Sequence, residues 1–134
     1  MKPELCVGAV VVIGGDLLMV QRGRGVGQGL WSIPGGRVER GETLPAAVTR
    51  ELWEETGVAG HCDRFLGLVE RIGEDHHFVI LDYAVQAAPE ARLTARAGDD
   101  AAALRWVPVG DVVDMADVVE GLVDFLRDAG VVPS

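Results

Sequence analysis

The chain has 134 residues, 49% of them hydrophobic and 25% charged, with a formal net charge of −9. That length fits one domain, residues 1–134, able to bury its own core without cross-links. Two cysteines, Cys6 and Cys62, are too few for a disulfide framework, and the acid excess excludes polymeric DNA or RNA as the expected partner, since such binding draws largely on Lys and Arg against phosphates.

The apolar run 5–13 is too short to span a membrane and has no cleavage-site pattern behind it, so it reads as a buried strand. With no membrane segment and no address signal, the expected location is cytoplasmic. Gly14-Gly15-Asp16 turns the chain into a second strand, 17–21, which predicts a hairpin. A glycine-rich loop, 22–29, leads to a short strand, 30–33, ended by Pro34-Gly35-Gly36. Residues 37–43 form a polar loop. A helix is predicted over Leu44–Thr56, with Pro45 in its first turn and Gly57 as C-cap. Extended chain over 58–64 is followed by strands 65–72 and 78–87 around Gly73-Glu74-Asp75. Residues 88–103 read as an alanine-rich loop and 104–107 as a last strand. Residues 117–129 place Val118, Val119, Leu122, Val123 and Leu126 on one helix face. The order predicts an α/β fold with a mixed β-sheet sandwiched between helices.

Chemistry concentrates in the predicted helix. Glu51, Glu54 and Glu55 have spacings of three and four, which gather their side chains on one face. They also crowd the helix C-terminus, where the macrodipole disfavours negative charge. A sequence tuned for stability alone would put acids in the first turn, so this breach of a local rule points to a functional site. Leu44, Ala47, Val48 and Leu52 share that angular sector, so it faces the protein body and the acids line a cleft. Converging carboxylates call for hard cations, Mg2+ or Mn2+. A backbone carbonyl of the Pro34-Gly35-Gly36 segment is placed to add a ligand. Arg50 can pair with Glu54 one turn on, either to fix that carboxylate or as a plain surface ion pair. Glu42 reads as structural, bonding free N–H groups of the first helical turn.

The segment from Gly36 to Val58 resembles the Nudix box, Gly-x5-Glu-x7-Arg-Glu-U-x-Glu-Glu-x-Gly-U, where U is a bulky aliphatic. Every specified position matches: Gly36, Glu42, Arg50, Glu51, Leu52, Glu54, Glu55, Gly57 and Val58. The resemblance implies a compact Nudix α/β/α sandwich and a hydrolase that cuts a diphosphate linkage with water and divalent metal. It assigns metal binding to Glu51 and Glu55 with Glu54 close by, and to a carbonyl of Gly35 or Gly36. The base that activates water varies among such proteins; Asp100, which with Asp99 precedes Trp106, is one candidate and is equally readable as a turn residue.

For the substrate, Arg22 and Arg24 follow the second strand where they can hold phosphates or a base. Trp31 is a candidate for stacking on a base, against an ordinary core position. Of His76 and His77, alternation turns one inward, and His77 is taken as the substrate candidate; Glu70 is a lesser extra acid. The stretch 29–36 with His76-His77-Phe78 looks most like small MutT-type members, which implies a nucleoside triphosphate substrate, including oxidised forms such as 8-oxo-dGTP. The alternatives are ADP-ribose or another nucleotide-sugar, and a nucleotide sensor without catalysis. The Val and Leu content permits a homodimer.

Overall fold

The computed structural model describes residues 2–98 and 100–134. Asp99, one of the acids read ahead of Trp106, lies outside the described residues. Among the described residues the elements are β1 (Glu4–Val10), β2 (Val12–Ile13), β3 (Asp16–Arg22), β4 (Trp31–Ser32), β5 (Gly35–Arg37), α1 (Leu44–Thr56), β6 (Gly60–Ile72), β7 (His77–Ala87), α2 (Ala91–Thr94), β8 (Ala101–Pro108) and α3 (Leu122–Asp128). A 3-10 helix, Val109–Asp114, follows β8.

The first sheet has the order β5-β1-β7-β6 and is mixed: β1 runs parallel to β7, and the outer pairings are antiparallel. The second sheet is antiparallel and centred on β3, which pairs with β2, β4 and β8. The predicted α/β architecture with a mixed sheet and helices is therefore present. A second sheet accompanies it.

The apolar run 5–13 does not form one strand. β1 ends at Val10, Val11 is fully buried between ladders, and Val12–Ile13 joins β3 in the other sheet. Alternation explains the need: Val7, Ala9 and Val11 fill the core beneath α1, while Val10 joins Leu17, Met19 and Ile33 in the core beneath α3. The strand is covered on both faces because two separate cores claim its two faces.

Helix α1 forms where its capping residues place it. The Thr43 hydroxyl accepts from the Ala46 N–H at 3.2 Å, and Gly57 adopts φ 69° while its N–H donates to the Trp53 carbonyl. Glu42 does not cap this helix, contrary to its reading from sequence. The helix buries Ala47, Val48, Leu52 and Thr56. The C-terminal helix is shorter than the predicted 117–129. Asp117 and Gly121 take positive φ, and Val118 bridges to Trp31, whose carbonyl accepts from the Val119 N–H at 2.9 Å. Their backbone is committed to β4, so only Leu122–Asp128 coils. Among the described residues, no helix is long and apolar enough to cross a membrane.

Candidate functional site

The last two turns of α1 lie against β5, the edge strand of the first sheet. The sequence predicts a loop at Arg37, whereas Gly35–Arg37 is a strand because β1 offers it an edge. Its position matters because Gly36 has no side chain: the Glu51 carboxylate fills the space that a Cβ there would take. Glycine at this point is what lets an α1 acid lie flush against the β5 backbone.

Arg50 is the hub of the acidic cluster. Its guanidinium grips Glu42 with two bonds, Nε at 2.6 Å and Nη2 at 2.9 Å, and also donates to the Arg37 carbonyl at 2.9 Å. Nη1 reaches Glu51 at 2.7 Å and Glu54 at 3.2 Å. Pairing with Glu54 was expected; the two-pronged grip on Glu42 was not. That grip, with the Glu39 backbone N–H donating at 3.0 Å, holds the Glu42 carboxyl down at about 2 and pushes the Arg50 guanidinium up. Arg50 thereby pins the loop between β5 and α1 to the helix.

The three α1 acids do not close on a single point. Arg50 stands between Glu51 and Glu54, and among the described residues no three acidic, histidine or cysteine groups form a ready cation cage. Glu55 lies apart from Arg50. Burial, then the charge of Glu51, pushes its carboxyl up to about 8, and the nearby Gly35 amide and Arg22 only partly offset this. Glu51 is also raised, by burial first and against the pull of Arg50. Buried negative charge here exceeds what the arginines neutralise. A divalent cation fits that deficit, and the donors are all oxygen, which suits a hard ion. Glu51, Glu55 and the β5 backbone at Gly35 and Gly36 are the groups that could hold it, with Glu54 at the margin.

The other predicted residues divide clearly. Arg22, at the end of β3, acts on Glu55. Asp100 acts on the same carboxyl, and its loop is fastened on both sides: the Gly98 N–H donates to the Glu55 carbonyl at 2.8 Å, and the Gly23 N–H donates to the Asp100 carbonyl at 2.8 Å. Arg24 pairs with Asp100, and the two line a cavity of about 410 Å³ with Gly23 and Ala101. Arg22 and Asp100 thus lie near Glu55, and Arg24 joins them through Asp100. Trp31 and His77 do not. Trp31 lines a separate cavity of about 480 Å³, with the Arg105 guanidinium 5.4 Å from its ring, and packs against the core beneath α3. His77 pairs with Glu70 at 3.1 Å, near the turn between β6 and β7.

Asp82 is a further buried acid, not among the residues singled out from the sequence. It stands directly after the apolar stretch Phe78-Val79-Ile80-Leu81, and that contrast is the signal in the sequence.

Comparison with known proteins bears on the family and the fold. The family model described as NUDIX domain matches residues 2–129. The chain is 31% identical over 126 residues to "Phosphatase NudJ" of Escherichia coli strain K12, an alignment covering 91% of this chain and 79% of that protein. A MutT NUDIX hydrolase from Burkholderia pseudomallei superposes with a TM-score of 0.79 at 26% identity, covering 96% of this chain and 98% of that one. The fold also matches a bifunctional NMN adenylyltransferase/ADP ribose pyrophosphatase from Francisella tularensis, complexed with AMP and a manganese ion. There the TM-score is 0.70 at 22% identity, over 94% of this chain and 40% of that one.

Proposed function

The chain belongs to the NUDIX domain family and is a Nudix hydrolase acting on pyrophosphate bonds, and from that premise we propose that it hydrolyses a nucleoside triphosphate to a nucleoside monophosphate and pyrophosphate, with Mg2+ as its metal. Members of the family generally use divalent metals. Here the metal would be held by Glu51 and Glu55 with the β5 backbone, and when bound it would supply charge neutralisation at the phosphoryl oxygens.

The observation that carries this reading is the excess of buried negative charge at Glu51 and Glu55 beside the side-chain-free β5 backbone. Arg50 positions Glu51 and Glu54 and keeps the loop before α1 in place. Arg22 acts on Glu55 and is the candidate to take a substrate phosphate, which an acidic protein needs if it is to accept an anion. Arg24 and Asp100 wall the adjoining cavity. Asp100 is the candidate to orient the attacking water, because its loop is tied to the Glu55 backbone.

A panel of nucleoside triphosphates, 8-oxo-dGTP and nucleotide-sugars, assayed with Mg2+ and a phosphate readout, tests the substrate. Turnover of nucleotide-sugars alone would overturn it. Glu55→Gln and Glu54→Gln test the machinery: each should lower turnover by about two orders of magnitude or more with the melting temperature retained. Unchanged rates in both would remove these residues from catalysis.

A further inference from the structure

The face of the first sheet opposite α1 holds an acid that the proposed reaction leaves unused. Asp82 of β7 is 2% exposed, and its Oδ1 has no hydrogen-bond partner among the described residues. Its neighbours in register on either side are both glycines, Gly8 of β1 and Gly67 of β6. Oδ1 takes the room that a side chain at Gly8 would need, with the Ile33 side chain beside it; the Phe125 ring covers Gly67. A position kept only for packing would be apolar, as are the four residues before it. A buried carboxylate without a partner weakens the fold, so its retention calls for a use.

Its surroundings indicate the use. Alternation puts Phe78, Ile80 and Asp82 on one face of β7, and Arg71 of β6, opposite Phe78, shares that face. Arg71 is half-buried, donates to the Glu120 carbonyl just ahead of α3, and feels the charges of both Asp82 and Arg22. Arg22 in turn acts on Glu55. Arg22 thus lies within charge range of both Glu55 and Arg71. Asp82 also lies in the row Gly35, Gly8, Asp82 across β5, β1 and β7. Two inter-strand steps place it about 10 Å from Gly35, a span that a nucleoside bridges.

We propose that Asp82 is a specificity-determining residue that accepts a hydrogen bond from an amino group on the heterocycle of the substrate, while Arg71 donates to the adjacent ring nitrogen. The ligand class is a base with an amino group next to an unprotonated ring nitrogen, and bases with a carbonyl and N–H at that edge are rejected. The inference rests on the nucleoside triphosphate reading above and deepens it.

The test compares CTP with UTP and ATP with ITP, pairs that differ at this edge alone, together with a base-free ribose triphosphate. Wild-type protein should favour the amino member of each pair by at least about tenfold in kcat/KM. Asp82→Asn, whose amide can accept or donate, should bring the ratio near one. The change should fall on KM rather than kcat, with the base-free substrate unaffected. A wild type that does not discriminate, or a variant that slows every substrate alike, overturns the proposal. If Asp82→Asn does not fold, Arg71→Met reads the same ratios. If the wild type turns over none of these triphosphates, the substrate reading fails separately. Thermal shift with free cytidine and adenosine against uridine and inosine then decides: stabilisation by the amino nucleosides alone, lost in the variant, supports the role of Asp82, and equal or absent shifts end it.

Discussion

Asp82→Asn has a consequence for stability that is independent of any substrate. Burial, only partly countered by the charge of Arg71, pushes the Asp82 carboxyl up from its usual 3.8 to about 7. A raised carboxyl pKa means that the folded state keeps the proton the unfolded chain has released. Below about 3.8 both states are protonated and there is no penalty. As pH rises from there the unfolded state sheds its proton first, so stability falls until the folded carboxyl also ionises near 7. At about 1.4 kcal/mol per pH unit, the full penalty above pH 7 has a ceiling of about 4 kcal/mol. Asparagine keeps the shape and cannot ionise; any cost of its unpaired amide is the same at every pH. The variant should therefore gain on the wild type as pH rises. For a domain of this size the difference in Tm should widen by on the order of 10 °C between about pH 4 and about pH 8. Calorimetry of both proteins in metal-free buffers measures it, because titration of the α1 acids is common to the two and cancels. A gap that stays constant, or a variant that loses ground as pH rises, would refute the reasoning.

Other expectations concern the site and its support. Gly36→Ala puts a methyl group where the Glu51 carboxylate lies, so the Mg2+ concentration for half-maximal activity should rise about 10- to 100-fold while Tm changes little; an unmoved metal titration contradicts this. Arg50→Gln removes the partner that holds Glu42 near 2. The wild-type pair stabilises the fold above about pH 4.5 and loses that contribution as pH falls toward 2, so the variant should be weaker at neutral pH and the gap should close over that window in acid titrations followed by circular dichroism. Leu52→Ala empties a fully buried position beneath α1 and should cost about 2–5 kcal/mol in denaturant melts.

The chemistry was legible in the sequence because one helix carries it. Pro45 and Gly57 mark the ends of α1, and spacings of three and four fix which acids share a face. What escaped depends on partners distant in the chain. Gly35–Arg37 is a strand only because β1 offers it an edge, and nothing local to Pro-Gly-Gly-Arg states that. Val118 and Val119 have helical spacing, but Trp31 claims their backbone first. The division of residues 5–13 is invisible to hydropathy, since two cores ask for the same residue type. Trp31 and His77 were judged by their chemistry, and the fold sends them to other cavities and contacts. An acid directly after four apolar residues marks Asp82 in the sequence, but its two glycine neighbours in register appear only in the fold.

The pairings of the first strands bear on how the protein is made. β1 is completed by β7, and β3 is completed by β8, whose last paired residue is Pro108 facing Asp16. β1 and β3 leave the ribosome before β7 and β8 and wait for them before either sheet can close. Topologies dominated by such distant contacts fold slowly and leave apolar strands exposed meanwhile. For this protein the vulnerable interval lies during synthesis, when the Val-rich first strand is present and its parallel partner is not. Pulse-labelling and chaperone-capture experiments would find it held longest before residue 87 emerges.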